Sequence, residues 1–428
     1  MPDKKNVLVL GAGLVARPLL RYLLTHYQHR VLVATLDVPR GQALMGEHPR
    51  GSILHHDVTD VKATGELVAE ADIVVSLLPA DLNPIVAKLA IAHGKSMVNT
   101  SYASPEMWSL DDEAKKAGVL LLNEIGLDPG IDHMSATAKV EEIRFGGGRI
   151  TNFLSCCGGF PALDANTNPW GYKFSWTPRG VLKAGLQAAR FLRNNKAVEV
   201  AAGGHIFDHS WPFELLGLGI FEIYPNRDSL KYIAPYELEG VSGMFRGTLR
   251  YPGWCATMRA VRDLGLLDME IQEWPEGTTY RDVTTRRIPA NGTSLFAKLA
   301  AFLQLDEDSE EIAKLEWMGL FSDRRIPHRK ASAMDVFLER MRALMMYKPG
   351  ERDMVVLQHI FTVAYPDGSH EEIRSSLVLT GDPWGDTAMA RTVSLPAAMA
   401  ARLILKKAIT AQGVQIPVYR EIYEPVLK

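Results

Sequence analysis

Through its first 130 residues the chain alternates short, continuously apolar runs with longer stretches whose apolar positions recur at helical spacing. The runs "NVLVL" (6–10), "RVLVAT" (30–35), "SILHH" (52–56), "DIVVSLL" (72–78), "SMVNT" (96–100) and "VLLLN" (119–123) read as strands. Strands this apolar, without polar alternation, are buried on both faces, as in a parallel sheet covered by helices. The segments between them are of helix length, clearest at 14–26, "NPIVAKLAIAH" (83–93) and "SPEMWSLDDEAKKAG" (104–118). The last opens on a serine cap with proline at the first helical position and closes on glycine.

Beyond residue 130 the period changes. Residues 133–145 read as helix and 149–157 as strand, while 168–192 is aromatic and then helical after Pro178. Residues 197–252 hold strand-like runs such as "LGIFEIY" and "MFRGTLRY", and 291–347 reads as helical with no convincing strand. "DMVVLQHIFTVAY" and "EEIRSSLVLT" (353–380) form an expected antiparallel pair joined by "PDG", and 386–407 and 419–427 are helical again. The pattern predicts an α/β fold with an N-terminal Rossmann-like parallel sheet (1–130). A second, mixed α/β domain (131–275 and 350–385) follows, interrupted by an all-helical insertion (276–349). The C-terminal helices (386–428) are expected to return to the first domain.

Composition narrows the class of protein. The 428 residues suffice for two or three domains, and 47% hydrophobic with 23% charged residues excludes a disordered chain. A net charge of −3 offers no basic excess for nucleic acid or an anionic membrane. Cys156, Cys157 and Cys255 are too few and too badly spaced for a disulfide scaffold or zinc knuckle, so a reducing compartment, the cytoplasm, is expected. Arg17 and Arg21 interrupt the apolar N-terminal stretch, and no cleavage-site pattern follows it. His205 and His209 flank Asp208 at metal-pair spacing but lack a third ligand, so no metal is expected.

Gly11, Gly13 and Ala16 stand at G-x-G-x-x-A spacing directly after the first strand. The first glycine permits the tight turn and the second lets the backbone approach a pyrophosphate. The small third residue lets helix and strand close up, and free N–H groups at the helix start face the anion. A glycine-rich turn that merely packs a helix closely would leave Asp37 unexplained. Asp37 follows the second strand, 21 positions beyond Ala16. An acid there accepts from a ribose 2′-hydroxyl and repels a 2′-phosphate, which favours NAD; Arg40, three residues on, keeps NADP possible.

In such folds ligands bind beyond the carboxyl ends of the strands. Those ends place Asp57 and Val58, Leu78 and Pro79, and Thr100, Ser101 and Tyr102 at the crevice. The sixth strand ends in "NEIGLDPGIDHM" (123–134), where a nicotinamide ring and its reaction partner would meet. Asp128 reads as functional, Asp132 as a cap of the next helix, and His133 as structural.

The motifs "GAGLVARPL", "SLLP", "TSYASPEM", "NEIGLDPGIDHM", "SCCGGFPA", "NPWGYKFSWTPRGVL", "YPNRDS", "RGTLRYPG" and "TAMARTVSLP" resemble, in order, those of saccharopine reductase, the glutamate-forming saccharopine dehydrogenase. The resemblance spans nearly the whole chain and is weakest in the helical insertion. It implies a homodimeric enzyme that interconverts saccharopine with glutamate and aminoadipate semialdehyde. By motif, the cofactor would touch Ala12, Gly13, Leu14, Val15, Asp57, Val58, Thr100, Ser101, Leu127, Asp128 and Pro129. Saccharopine would meet Ser101, Tyr102, Asp128, Arg227, Thr248, Leu249 and Arg250. Where the fungal enzymes carry Cys-Arg-Thr after the second strand, this chain has Thr35, Leu36 and Asp37, a second pointer to NAD.

A substrate with three carboxylates needs cationic partners. Arg227 and Arg250 are expected to grip two of them and Lys173 a third. The nitrogen must also lose a proton before hydride leaves the neighbouring carbon. The candidates for that work are Asp128, Tyr102 and Cys157, the last matching the family's "CGG" motif; Cys156 would point to the opposite face of the strand. Two rivals remain: an imine-reducing dehydrogenase of polyamine metabolism, such as carboxynorspermidine dehydrogenase, and an NAD-binding sensor without turnover.

Overall fold

The computed structural model describes residues 4–26, 29–289 and 294–428. Its first strands are β1 (Asn6–Leu10), β2 (Arg30–Thr35), β3 (Gly51–His55), β4 (Ile73–Ser76), β5 (Ser96–Asn99) and β6 (Leu120–Leu122). There follow β7 (Arg149–Pro161), β8 (Ala189–Arg193), β9 (Lys196–Val200), β10 (Trp211–Leu215), β11 (Gly219–Pro225) and β12 (Gly243–Arg250). The last are β13 (Gln272–Glu273), β14 (Lys330–Ala331), β15 (Asp353–Ala364), β16 (His370–Thr380) and β17 (Gly413–Gln415).

The first sheet is parallel, in the order β17-β6-β5-β4-β1-β2-β3. Alternate residues of β1 enter different cores. Val7 and Val9 pack with Leu19 and Leu20 of the helix Ala16–His26 and with Ala397 and Ala401 of the helix Ala388–Leu405. Leu8 and Leu10 pack with Val86 and Ala90 of the helix Asn83–Ala92. The C-terminal helices therefore cover one face of the first sheet, as expected. The sequence reading missed β17, because three residues are too few for periodicity to register.

The second sheet is mixed, in the order β10-β11-β12-β7-β15-β16, with β7 and β12 parallel and the other neighbours antiparallel. Two expectations need correction. The helix that follows Thr177 ends at Gly185, and 189–193 is β8, closed onto β9 by Asn194 and Asn195 at φ 51° and 61°. Two left-handed residues make the tight turn whose twist suits a hairpin. The insertion also carries a strand after all, β14, paired with β13.

The two faces of the second sheet differ in kind. Phe245 and Leu249 of β12, with Cys156 of β7, turn into an aromatic core that includes Phe337 of the helix Ala333–Leu344. Arg246, Thr248 and Arg250 occupy the alternate positions; the first two share the opposite face with Ser155 and Cys157, their register partners on β7. That face looks toward the carboxyl ends of the first sheet. Cys157 packs with Leu127 of the loop after β6 and with Met389.

Candidate active site

The crevice begins at the turn after β1. Gly11, at φ 96°, donates its N–H to Ala34 O at 2.9 Å, and a side chain at Gly13 would meet nothing within 4 Å. Ala16 is fully buried at the helix start, Leu14 and Val15 are half-buried, and the first helical turn carries no acid to compete with a bound anion. The residues present therefore suit a dinucleotide pyrophosphate. Leu36 and Asp37 are exposed at the tip of β2. Asp37 Oδ1 accepts the Arg40 N–H at 3.0 Å, capping the helix Val38–Met45 and fixing the carboxylate's direction. Asp57 Oδ1 accepts the N–H (2.9 Å) and hydroxyl (2.7 Å) of Thr59, bonds that hold its carboxyl below the usual range. Val58 is buried, while Leu78, Thr100 and Ser101 are half-buried at the ends of their strands.

The loop after β6 depends on a close backbone approach. Gly126 N–H donates to Pro129 O at 2.8 Å and Ile131 N–H to Gly126 O at 2.9 Å. A side chain at Gly130, where φ is 148°, would lie 2.1 Å from Gly126 O, so only glycine closes this turn. The turn corrects part of the expected cofactor set. Leu127 is core, its carbonyl taken by the Asp132 N–H at 3.0 Å, and Pro129 is buried with its carbonyl on Gly126. Of these three residues only Asp128 leaves side-chain surface free.

Asp128 sits among polar groups from both sheets. Its Oδ1 accepts the Tyr102 hydroxyl at 2.6 Å and Arg246 Nη2 at 2.6 Å, and Asn226 Nδ2 reaches its Oδ2 at 3.1 Å. Arg246 also grips Asp132, whose Oδ1 accepts the Gly130 N–H at 2.5 Å. The cap expected of Asp132 is corrected: Gly130 is the N-cap, and Asp132, inside the first turn, reaches back to its N–H and also binds a cation. Burial, with the Asp132 charge adding to it against Arg246, raises the Asp128 pKa above the ordinary 3.8. Asp132 is held low by His133 and Arg246, which outweigh its burial. Burial pushes the Tyr102 hydroxyl well above 10.0, so it stays a donor to Asp128.

A deeper layer supports this cluster. Glu124 is buried; its Oε2 accepts the Tyr232 hydroxyl at 2.7 Å and lies 2.8 Å from His133 Nε2, and its Oε1 accepts the Ala103 N–H at 3.0 Å. His133 Nδ1 meets the Tyr236 hydroxyl. Desolvation acts on Glu124 in the opposite sense, but His133, Lys231 and Tyr232 together bring its pKa down to about 2. His133 is fully buried in this layer, bonded on both ring nitrogens.

The substrate-side expectations divide. Arg227 lies with its guanidinium 4.5 Å from the Tyr102 ring centre and has no ion pair among the described residues. Arg250 is buried among Tyr172 (5.0 Å), Trp254 (5.5 Å) and Tyr224 (5.9 Å), gives Nη1 to Leu249 O at 2.7 Å, and has an unpartnered Nε. Two guanidinium groups without carboxylate partners remain for an anionic ligand. Thr248 stands two positions before Arg250 on β12, and so on the same face of that strand. Leu249 faces the other way: its side chain is core and its carbonyl is taken. Lys173 is likewise corrected, because its ammonium is bound to Glu351 at 2.5 Å and Thr167 at 2.9 Å. Cys157 faces the cluster, and burial pushes its thiol well above 9.0, with the nearby carboxylates adding to this, so the sulfur stays protonated. His205 lies 3.1 Å from Asp208, which Arg262 also holds at 2.7 Å.

Arg246, Asn226 and Glu124 were not legible as site residues. One signal pointed to the first of them: on a strand, the alternation that brings Thr248 and Arg250 to one face brings Arg246 with them.

A glycine-turn parallel sheet whose strand tips meet an acid–base cluster and an unpaired arginine defines a dinucleotide-binding oxidoreductase. Residues 7–122 match the family model of the saccharopine dehydrogenase NADP binding domain, and residues 126–428 that of the saccharopine dehydrogenase C-terminal domain. The chain belongs to the saccharopine dehydrogenase family. It is 38% identical over 434 residues, 99% of this chain and 96% of the other, to a saccharopine dehydrogenase (NADP(+), L-glutamate-forming) of Pyricularia oryzae. It is 36% identical to the mitochondrial alpha-aminoadipic semialdehyde synthase of Bos taurus, covering all of this chain and 47% of that longer protein. The solved apo saccharopine dehydrogenase (L-Glu forming) of Saccharomyces cerevisiae superposes with a TM-score of 0.85 at 36% identity, covering 99% of this chain and 96% of the other.

Proposed function

We propose that the protein is an L-glutamate-forming saccharopine dehydrogenase, interconverting saccharopine with L-glutamate and aminoadipate semialdehyde. The observation that carries this reading is the Tyr102–Asp128 pair, 2.6 Å apart at the tips of the first sheet, with the unpaired Arg227 guanidinium over the Tyr102 ring. A nicotinamide bound in the crevice supplies or accepts the hydride. In the oxidative direction Asp128 takes the proton from the substrate's secondary ammonium, freeing the lone pair. Hydride then leaves the carbon that becomes the aldehyde, and an imine forms. Water adds to that carbon, and Asp128 returns a proton to nitrogen as the carbinolamine collapses to glutamate and aldehyde. A raised carboxyl pKa suits both roles. Tyr102 holds the carboxylate in place, and Arg227 and Arg250 bind substrate carboxylates bidentately. A polyamine substrate would make less use of two unpaired arginines, and a sensor would need neither them nor Asp128. Incubating the purified protein with saccharopine and each dinucleotide, followed by nicotinamide absorbance, tests the proposal; no turnover with either would refute it.

Within this reading NAD is preferred over NADP. The relatives are named for NADP, and Arg40, with an Nε buried without a partner, is the group that would serve a 2′-phosphate. Against this stands Asp37, exposed at the tip of β2 and held there as a helix cap, where it would accept from a ribose 2′-hydroxyl and repel a phosphate. Asp37→Ala is expected to shift the NADP/NAD ratio of kcat/KM toward NADP by about tenfold, equivalent to roughly 1.4 kcal/mol. An unchanged ratio would show that Asp37 does not set the preference.

A further inference from the structure

We infer that Lys231 supplies the third cation of the substrate site, gripping with Arg227 one carboxylate across the face of Tyr102. This rests on the proposed saccharopine reaction and adds a residue to it. The place was expected to fall to Lys173, which Glu351 neutralises internally. Lys231 lies in the short turn Leu230–Tyr232, anchored by the Leu230 N–H on Asp228 Oδ1 (2.9 Å) and the Arg246 N–H on Ser229 Oγ (2.9 Å). Its Nζ is 5.3 Å from the Tyr102 ring centre, and the Arg227 guanidinium is 4.5 Å from the same centre.

The backbone works to hold Arg227 there. Its φ is 58°, a left-handed conformation that a side chain adopts only at a cost, and it is kept by the Arg190 N–H on Arg227 O at 3.0 Å. Around Tyr102 three cations, Arg246, Arg227 and Lys231, stand with three carboxylates, Asp128, Asp132 and Glu124, but they are not matched one to one. Arg246 Nη2 binds both Asp128 and Asp132, and Glu124, the anion 3.6 Å from Lys231, is shared with His133, Tyr232 and Ala103. Arg227 has no carboxylate among the described residues. Burial, with Arg246 and Arg227 adding to it against Glu124, pushes the Lys231 ammonium down, a penalty that a bound anion relieves. Lys231 also lines, with Glu124, Trp108, Tyr232 and Ile416, a cavity of about 350 Å³ on its side away from Asp128.

The test compares wild type with Lys231→Met and Lys231→Arg on saccharopine and on its three monoamides, each lacking one carboxylate charge. Lys231→Met is expected to raise the KM for saccharopine about 10- to 100-fold, the effect of losing one charge-assisted contact. Dinucleotide affinity should hold within about twofold, and Lys231→Arg should recover most of the loss. With one monoamide the variant-to-wild-type ratio should collapse to about one, identifying the carboxylate held. Lys231→Gln serves equally if the methionine variant is unstable. An unchanged KM, or the same ratio with saccharopine and all three monoamides, overturns the inference while leaving the functional reading intact. A wild type that turns over no saccharopine overturns both.

Discussion

Replacing Asp128 by asparagine is expected to lower kcat for saccharopine oxidation by about 10²- to 10⁴-fold, the range for loss of a positioned general acid–base group. The KM should stay within a few-fold, because the amide oxygen can still accept from Tyr102 or Arg246 and the binding cations are untouched. Arg246 keeps Asp132, so the loss of charge at 128 leaves no orphaned cation and the fold should survive. The pH profile separates catalysis from structure. Asp128 titrates above the ordinary aspartate value in the folded protein, so the acid limb of wild-type kcat/KM should lie above pH 3.8 and disappear from the variant's residual activity. A variant with near wild-type kcat would remove Asp128 from the mechanism.

The second large effect is on stability. Glu124→Gln leaves His133 and Lys231 without their anion in a buried site and is expected to cost about 3–5 kcal/mol at pH 7. The sign with pH follows from the folded pKa of about 2 against an ordinary value of 4.5. The unfolded chain binds the proton first as pH falls, so the stabilisation is complete above about pH 4.5 and is lost on the way down to 2. Thermal midpoints of wild type and variant should therefore lie far apart at pH 7 and converge through that window. A constant gap would mean that Glu124 is held neutral.

Much of the architecture was readable because it is written in local pattern. Strands β1 and β2 end where the apolar runs end, and G-x-G-x-x-A after β1 and the acidic loop after β6 lie on the same side of the sheet because parallel strands share one carboxyl edge. Elements of two or three residues, β13, β14 and β17, carry no period and were not legible. Neither was the end of the helix before β8, where a helical prefix runs into an Asn-Asn hairpin.

The sequence by itself determined the parallel sheet, the dinucleotide turn and the position of Asp128 at the crevice, since each depends on residues a few positions apart. Only the tertiary structure decided which cations are free. Arg246 reaches Asp128 and Asp132 across separations of 118 and 114 residues, and Lys173 finds Glu351 across 178. A charge's role depends on whether folding brings it a counter-ion, and no local period of apolar and polar positions records that meeting.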